Sequence, residues 1–211
     1  MQLLHIDSSI SGRQSVSRQL SASIVARLKE ASPGLEVIYR DLASTPLPQQ
    51  SEAIQALRAH APTRSDAHGV ATPPDVARNV AALDAALAEF LASGVVVIGA
   101  PMYNFGIPSQ LKSWIDAISV AGKTFSYSAA GVTGLCGDKR IIVASSRGGF
   151  YIAPSPMAAL DYQETYLGGM FGFLGVTDIS FVRAEGINFG PEQRQRSLEA
   201  ALAEVATLKA S

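Results

Sequence analysis

Residues 94–116 read GVVVIGAPMYNFGIPSQLKSWID, and the first seven decide the fold class. Val95, Val96, Val97 and Ile98 are consecutive and β-branched. A strand with one wet face alternates apolar and polar residues, whereas one that is apolar on both faces belongs inside a covered parallel sheet. Pro108 then stands where a helix starts, with Leu111, Trp114, Ile115 and Ile118 on one helical face. Between strand and helix the chain places Met102, Tyr103, Asn104 and Phe105. An ordinary turn needs only Gly, Asn or Ser, so the sulfur, two rings and an amide call for a reason beyond turning.

The same alternation extends both ways. Residues 2–6, 35–40, 140–146 and 178–183 read as further short strands. Helical stripes fall at Leu20, Ile24 and Leu28, before the stop at Pro33 and Gly34, and at Val76, Val80, Leu83, Leu87 and Phe90. Residues 161–174 read as a helix, and a last one starts at Pro191 with Leu198, Leu202, Val205 and Leu208 inward. Five strands alternating with helices predict one α/β domain over residues 1–211, a three-layer sandwich around a five-stranded parallel sheet. The common doubly wound order is 2-1-3-4-5, which gathers the loops after strands one, three and four at one edge, where ligands bind. Two stretches exceed this minimal unit. Residues 41–74 read as a mobile flap with a short helix near residues 51–60, and residues 123–138 as a small hairpin standing off the sheet edge.

Composition narrows the function. The 211 residues carry a net charge of −1, which gives no electrostatic case for nucleic acid or a membrane surface. Cys136 is the single cysteine, so no intrachain disulfide forms. No apolar run approaches the roughly 20 residues that span a bilayer. The start MQLLHIDSS lacks the basic and long apolar regions of a signal peptide. The expectation is a soluble cytoplasmic protein. His5, His60 and His68 match no metal spacing, and no metal is expected.

Three loops carry the chemistry. The first, residues 7–19, sets Ser8, Ser9, Ser11, Ser15 and Ser17 around Gly12 and opens a helix. Unpaired N–H groups and the helix dipole make such a place an anion site, although a helix cap with spare serines explains it too. It lacks both the Gly-Lys-Ser/Thr ending of a triphosphate loop and the Gly-x-Gly-x-x-Gly of a dinucleotide loop, so a terminal phosphate is the expected anion. The second loop, Met102 to Phe105, suits the border of a flat ring system. The third, SRGGFY at residues 146–151, pairs Gly148 with Gly149, which allows close approach of backbone to a ligand. A planar ring joined to a single phosphate, as in flavin mononucleotide (FMN), fits all three.

At these residues the sequence resembles the bacterial FMN-dependent NADH:quinone oxidoreductases, also called azoreductases. The resemblance covers nearly the whole chain. It rests on SSISGRQSVS, APMYNF with QLKSWID behind it, AGKTFSYSAAGVTGL, SRGG and AEGINFGPE. It implies a flavodoxin-like fold and a homodimer with two flavin sites near the subunit interface. It implies that Ser9, Ser15, Val16 and Ser17 hold the phosphate. It implies that Met102, Tyr103, Asn104 and Phe105, with Ser146, Arg147, Gly148 and Gly149, line the isoalloxazine ring. The activity implied is ping-pong: a hydride from NADH to flavin N5, then two electrons to a quinone or an azo compound. The family's pocket aromatics vary, and here residues 166–173, YLGGMFGF, are rich in glycine, which suggests a roomier pocket.

The backbone N–H groups of Gly148 and Gly149 are expected to face flavin N1 and C2=O, and those of Asn104 and Phe105 to face N5 and O4. Neutral donors there stabilise developing charge without titrating. No side-chain acid or base is required for hydride transfer, with Tyr127 and Tyr151 as the candidates for proton donation. Cys136 reads as a passive thiol. Trp114 suits either the core or a dimer seam. Arg147 reads either as part of the ring site, through the resemblance, or as a solvated charge in a glycine loop. Two rival functions share these loops: a one-electron carrier of flavodoxin type, and an NAD(P)H-dependent flavin reductase. A carrier usually presents a strongly acidic face, which the near-neutral charge argues against. A phosphate-switch receiver needs an acidic cluster after strand one and an Asp after strand three, where this chain has a lone Asp7 and Tyr103-Asn104.

Overall fold

The structure, a computed structural model, describes residues 1–58 and 73–209. Its centre is β3 (Val95–Pro101), buried along its whole length. Around it lie β1 (Gln2–Asp7), β2 (Glu36–Asp41), β6 (Arg140–Ser146) and β7 (Asp178–Ala184), all parallel, in the spatial order β2-β1-β3-β6-β7. Counted within this sheet alone, that is the expected order. The labels skip because β4 (Phe125–Ser128) and β5 (Gly131–Gly134) pair separately as an antiparallel hairpin.

Successive side chains of a strand point to opposite faces, and the core divides accordingly. Val95 and Val97 join Leu3, Ile142 and Ala144 beneath α1 (Val16–Ala31) and α6 (Pro191–Ala206). Val96, Ile98 and Ala100 join Leu4, Ile6, Ile141 and Val143 beneath α3 (Pro74–Ala92), α4 (Ser109–Ile118) and α5 (Tyr162–Phe173). Trp114 belongs to this second layer. It is fully buried, with its ring edge-on to Phe90 at 5.8 Å and tilted against Phe171 at 6.5 Å, so it is a core residue. Lys139 is buried too, and its ammonium donates to the Leu91 and Ser93 carbonyls at 3.1 and 2.8 Å, closing the C-terminal end of α3. No helix among the described residues is long and apolar enough to cross a membrane.

Three expectations change. Leu202 faces outward, and the inward stripe of α6 runs through Leu198, Ala201, Val205 and Leu208. Small Ala201 takes the inward place because steps of three and four keep one face, while Leu202 is rotated off it by one residue. The segment after β2 is no loose flap up to Arg58. Leu42, Leu47 and Ile54 are buried in the core, and α2 (Glu52–Arg58) packs on α3. The rest of the expected flap, with His60 and His68, lies outside the described residues. The hairpin, finally, is docked rather than free. A Cβ at Gly134 would stand 2.1 Å from the Gly175 nitrogen, and the Cys136 N–H donates to Leu174 O. Burial there pushes the Cys136 thiol up.

Gly99 is the tightest joint of the sheet. A Cβ on it would lie 2.3 Å from Asp7 Oδ1 and 3.1 Å from Ser21 Oγ. Asp7 cannot swing aside, since the Ser21 and Tyr39 hydroxyls both donate to it, at 2.8 and 3.1 Å. Gly99→Ala is therefore expected to lower unfolding free energy by about 1–3 kcal/mol. Gly94→Ala, where a Cβ meets only Met1 at 3.8 Å, is expected to be neutral or slightly stabilising in the same urea titration.

Candidate functional site

The loop after β1 begins with Ser8, whose N–H and hydroxyl both donate to Gly99 O, at 3.2 and 2.8 Å. That ties the loop to β3 and removes Ser8 from ligand contact. Ser15 is the N-cap of α1: its hydroxyl accepts from Arg18 N–H and shares a 3.0 Å hydrogen bond with the Ser17 hydroxyl. Its own N–H is spent on Gly12 O. The cap reading of the serines thus holds for Ser15. The N–H groups of Val16 and Ser17 keep no partner among the described residues, as expected for the first two positions of a helix. A 16-residue helix with two open donors at its start has the geometry and dipole that could receive an anion.

The loop after β3 is a tight two-residue turn. Tyr103 and Gly106 exchange N–H···O bonds of 2.9 and 3.0 Å, and the residues between them, Asn104 and Phe105, take φ of +47° and +70°. Positive φ at both central positions is what a type I′ turn requires. It suits Asn and strains Phe, by roughly 1–2 kcal/mol. The result is two adjacent N–H groups, of Asn104 and Phe105, without partners among the described residues. The Tyr103 ring reaches back across the edge. Its hydroxyl lies 3.3 Å from Ser9 Oγ and accepts the Ile10 N–H at 3.2 Å.

The loop after β6 is zipped to residues 184–188. Arg147 N–H donates to Ala184 O, while the carbonyls of Arg147, Gly148 and Gly149 accept from Ile187, Asn188 and Gly186. The carbonyls are consumed on one side, and the N–H groups of Gly148 and Gly149 keep no partner among the described residues. Gly148 must be glycine or force Asn188 aside, because a Cβ there would stand 2.4 Å from Asn188 Nδ2. Tyr151 covers Gly149 and meets the Phe105 ring edge-on at 6.2 Å. Met102 N–H donates to Ser146 O at 2.8 Å, joining the second and third loops.

Arg147 requires a correction. It is neither a solvated charge nor a side chain free to line a ring, being fully buried. Its guanidinium pairs with Asp161 at 3.0 Å, Glu185 at 3.1 Å and Glu164, and donates to Ser145 Oγ. Arg183 shares Glu164. The loop turns this side chain inward because those carboxylates, from α5 and the segment after β7, leave no neutral way to bury it. Glu185 was not singled out from sequence, yet one of its oxygens also accepts the Tyr151 N–H at 2.7 Å, so it grips both ends of the glycine loop. No local pattern could have found it: the signal is a pairing across 38 residues.

Arg18 was likewise missed. Its fork donates to Asp41 at 2.6 and 2.8 Å and to the Ser9 carbonyl at 2.8 and 3.2 Å. Tyr127, by contrast, is not brought to the three loops within one chain. It stands exposed on β4, with Phe125 between it and Phe173 at the end of α5. A cavity of about 810 Å³ lies elsewhere, between Leu87 and Leu91 of α3 and the segment after α4, and shares no residue with the loops.

The family model for the flavodoxin-like fold matches residues 1–208. An FMN-dependent NADH:quinone oxidoreductase of Bradyrhizobium diazoefficiens is 54% identical over 211 residues, covering 100% of each chain. The chain belongs to the FMN-dependent NADH:quinone oxidoreductase family. The azoreductase of Bacillus anthracis str. Sterne superposes with a TM-score of 0.84 at 32% identity, covering 98% of this chain and 97% of that one. An FMN-dependent NADH-azoreductase of Bacillus anthracis str. Ames Ancestor, solved in complex with FMN, gives 0.83 at 26% identity, with 98% and 96% covered. The three loops sit together here through strand pairing, the Met102–Ser146 backbone bond and the bonds of the Ser8 and Tyr103 hydroxyls.

The ion pair behind the first loop has a pH signature. The Arg18 fork holds the Asp41 carboxyl down at about 2, while burial and Asp7 push the Tyr39 phenol up to about 12. A depressed carboxyl stabilises the fold fully above its unfolded value, near 3.8, and that contribution is lost as pH falls through about 2. Asp41→Asn is expected to lower stability at pH 7 and to flatten the decline between pH 5 and pH 2, read by urea unfolding at each pH.

Proposed function

We propose that the chain is an oxidoreductase that binds FMN at the edge formed by these loops and uses NADH to reduce quinones and cleave azo compounds. The supporting observation is one of geometry. A phosphate cradle at the start of α1 and two turns of open backbone N–H groups stand on adjacent strands of one sheet edge, as a ring bearing a single terminal phosphate requires. When bound, FMN supplies acceptance of a hydride and delivery of two electrons, chemistry that no side chain offers.

The residues have separable tasks. Val16 and Ser17 N–H groups, with the hydroxyls of Ser9 and Ser17, receive the phosphate, and Ser15 caps the helix that presents it. Met102 and Tyr103 carry the turn that offers Asn104 and Phe105 N–H to one polar edge of the ring. Ser146 and Arg147 carry the loop that offers Gly148 and Gly149 N–H to the other. All four ring donors are neutral backbone groups, so they stabilise charge without titrating between pH 5 and pH 9. Tyr151, which packs against Gly149 and Phe105, is favoured over Tyr127 as the proton donor.

The same reading makes the protein a cytoplasmic homodimer. Apolar side chains stand exposed on the hairpin side, Tyr127 at 70% and Leu135 at 46%, and on the loop side, Phe189 at 67%. Such a surface supports a second copy seated against it. Sedimentation is expected to give about twice the 22.1 kDa chain mass, and fractionation to recover the protein with cytoplasmic markers. A monomer at micromolar concentration would remove the dimer.

The decisive experiment is anaerobic titration of the FMN-loaded protein with NADH. One equivalent is expected to bleach the flavin's visible absorption, and a quinone to restore it fully. An absence of bleaching would overturn the NADH assignment, and failure of quinone to restore colour would overturn the acceptor.

A further inference from the structure

We propose that Arg18 is a positioning residue for the phosphate cradle, and that its grip on the Ser9 carbonyl sets the preference for phosphorylated over unphosphorylated flavin. The inference rests on the FMN reading above and deepens it.

The Ser9–Ile10 peptide links β1's loop to the aromatic turn and is held at both ends. Arg18 Nε and its terminal nitrogen donate to the Ser9 carbonyl at 3.2 and 2.8 Å, and Ile10 N–H donates to the Tyr103 hydroxyl at 3.2 Å. Two consequences follow. A carbonyl oxygen beside an anion repels it, and this one is neutralised by a charged donor. The orientation of the peptide also fixes the Ser9 hydroxyl, which accepts Ser11 N–H at 3.3 Å and bonds Tyr103 at the same distance. The guanidinium itself stands behind the loop. Asp41 takes it bidentately, and the Tyr39 hydroxyl accepts from it at 3.1 Å. Its charge acts on an anion through the loop, while direct contact is left to the neutral donors of Val16 and Ser17.

A second arginine completes the hold. Arg194 of α6 donates to Gln14 O, one residue before the Ser15 cap. Arg194 braces the end of the loop that already carries the cap, whereas Arg18 braces the Ser9 carbonyl, two residues after Asp7, which Ser21 of α1 holds. Loss of Arg18 therefore leaves the Ser9 carbonyl without its charged donors, while the Ser8 and Tyr103 bonds and the helix start stay in place. Among the described residues, no group at residues 102–105 or 146–149 bonds Arg18 directly.

The test measures binding of FMN and of riboflavin to flavin-free protein by quenching of flavin fluorescence, for wild type and for Arg18→Met and Arg18→Lys. Wild type is expected to prefer FMN. Arg18→Met is expected to bind FMN roughly tenfold more weakly or worse, with riboflavin affinity unchanged, and Arg18→Lys to fall between them. Equal weakening of both flavins, or an unchanged ratio, would overturn the assignment of Arg18 while leaving the FMN reading intact. A wild-type protein without preference for FMN would instead overturn the FMN reading and this inference together. Should Arg18→Met not fold, Asp41→Asn carries the same test, because it keeps the guanidinium but loosens what holds it; a lowered FMN-to-riboflavin ratio is again the expected result.

Discussion

The ligand edge hangs from one contact, the close approach of β1 and β3 at Gly99. The Gly99 carbonyl takes both the N–H and the hydroxyl of Ser8, and the space where its Cβ would stand is filled by the Asp7 carboxylate. Asp7 in turn is held by Ser21 from α1 and Tyr39 from β2. One glycine thus allows three elements to converge at the point where the winding of the sheet reverses. The serine loop can turn toward Tyr103 only because β1 ends this close to β3. A larger residue there would push apart the loops that the site needs side by side.

Much of this was readable from the chain. A buried central strand announces itself by unbroken β-branched residues, and Val95 to Ile98 did so. The turn at Asn104 and Phe105 and the glycines at 148 and 149 carry backbone demands that residue type expresses directly. What could not be read were contacts that depend on which side chain turns inward. From sequence, Arg147 reads either as part of the ring site, through the resemblance, or as a solvated charge in a glycine loop. Its burial is decided by Asp161, Glu164 and Glu185, which come from two other elements. The stretch after β2 reads as loose because it is far longer than a usual strand–helix connection and rich in Pro, Gln, Thr and His. Three apolar residues, Leu42, Leu47 and Ile54, are enough to pin it through Arg58, and their spacing follows no helical or strand period. Leu202 and Ala201 exchanged places because volume, which favours Leu in a guess, matters less than angle around the helix axis.

The two outer loops solve the same problem in the same way. Each must present backbone N–H groups outward, and each therefore needs its carbonyls and its position fixed from behind. In the serine loop a guanidinium, Arg18, is anchored by Asp41 and bonds a loop carbonyl. In the glycine loop a guanidinium, Arg147, is anchored by three carboxylates, and Glu185 returns the hold to Tyr151 N–H. Charged groups do the bracing from within the protein, and neutral N–H groups are left open at the edge. The middle turn lacks such a brace. It is fixed by its own hydrogen bonds and by Tyr103, at the cost of a strained Phe105.

That division has a consequence for how charge is distributed around a bound anion. A cation in direct contact with a phosphate contributes strongly but is exchangeable with salt, since solvent reaches the pair. Arg18 and Arg147 are sequestered, with side-chain exposures of 16% and 0%, so their fields act through the protein and are screened far less. Each is also locally compensated by carboxylates, which limits long-range attraction and accords with the net charge of −1. Binding at such an edge depends on donor geometry more than on total charge. A geometry proposed to receive a phosphate at one end and a ring's polar edges at the other would discriminate by shape, and it is set by strand pairing shared among the three loops.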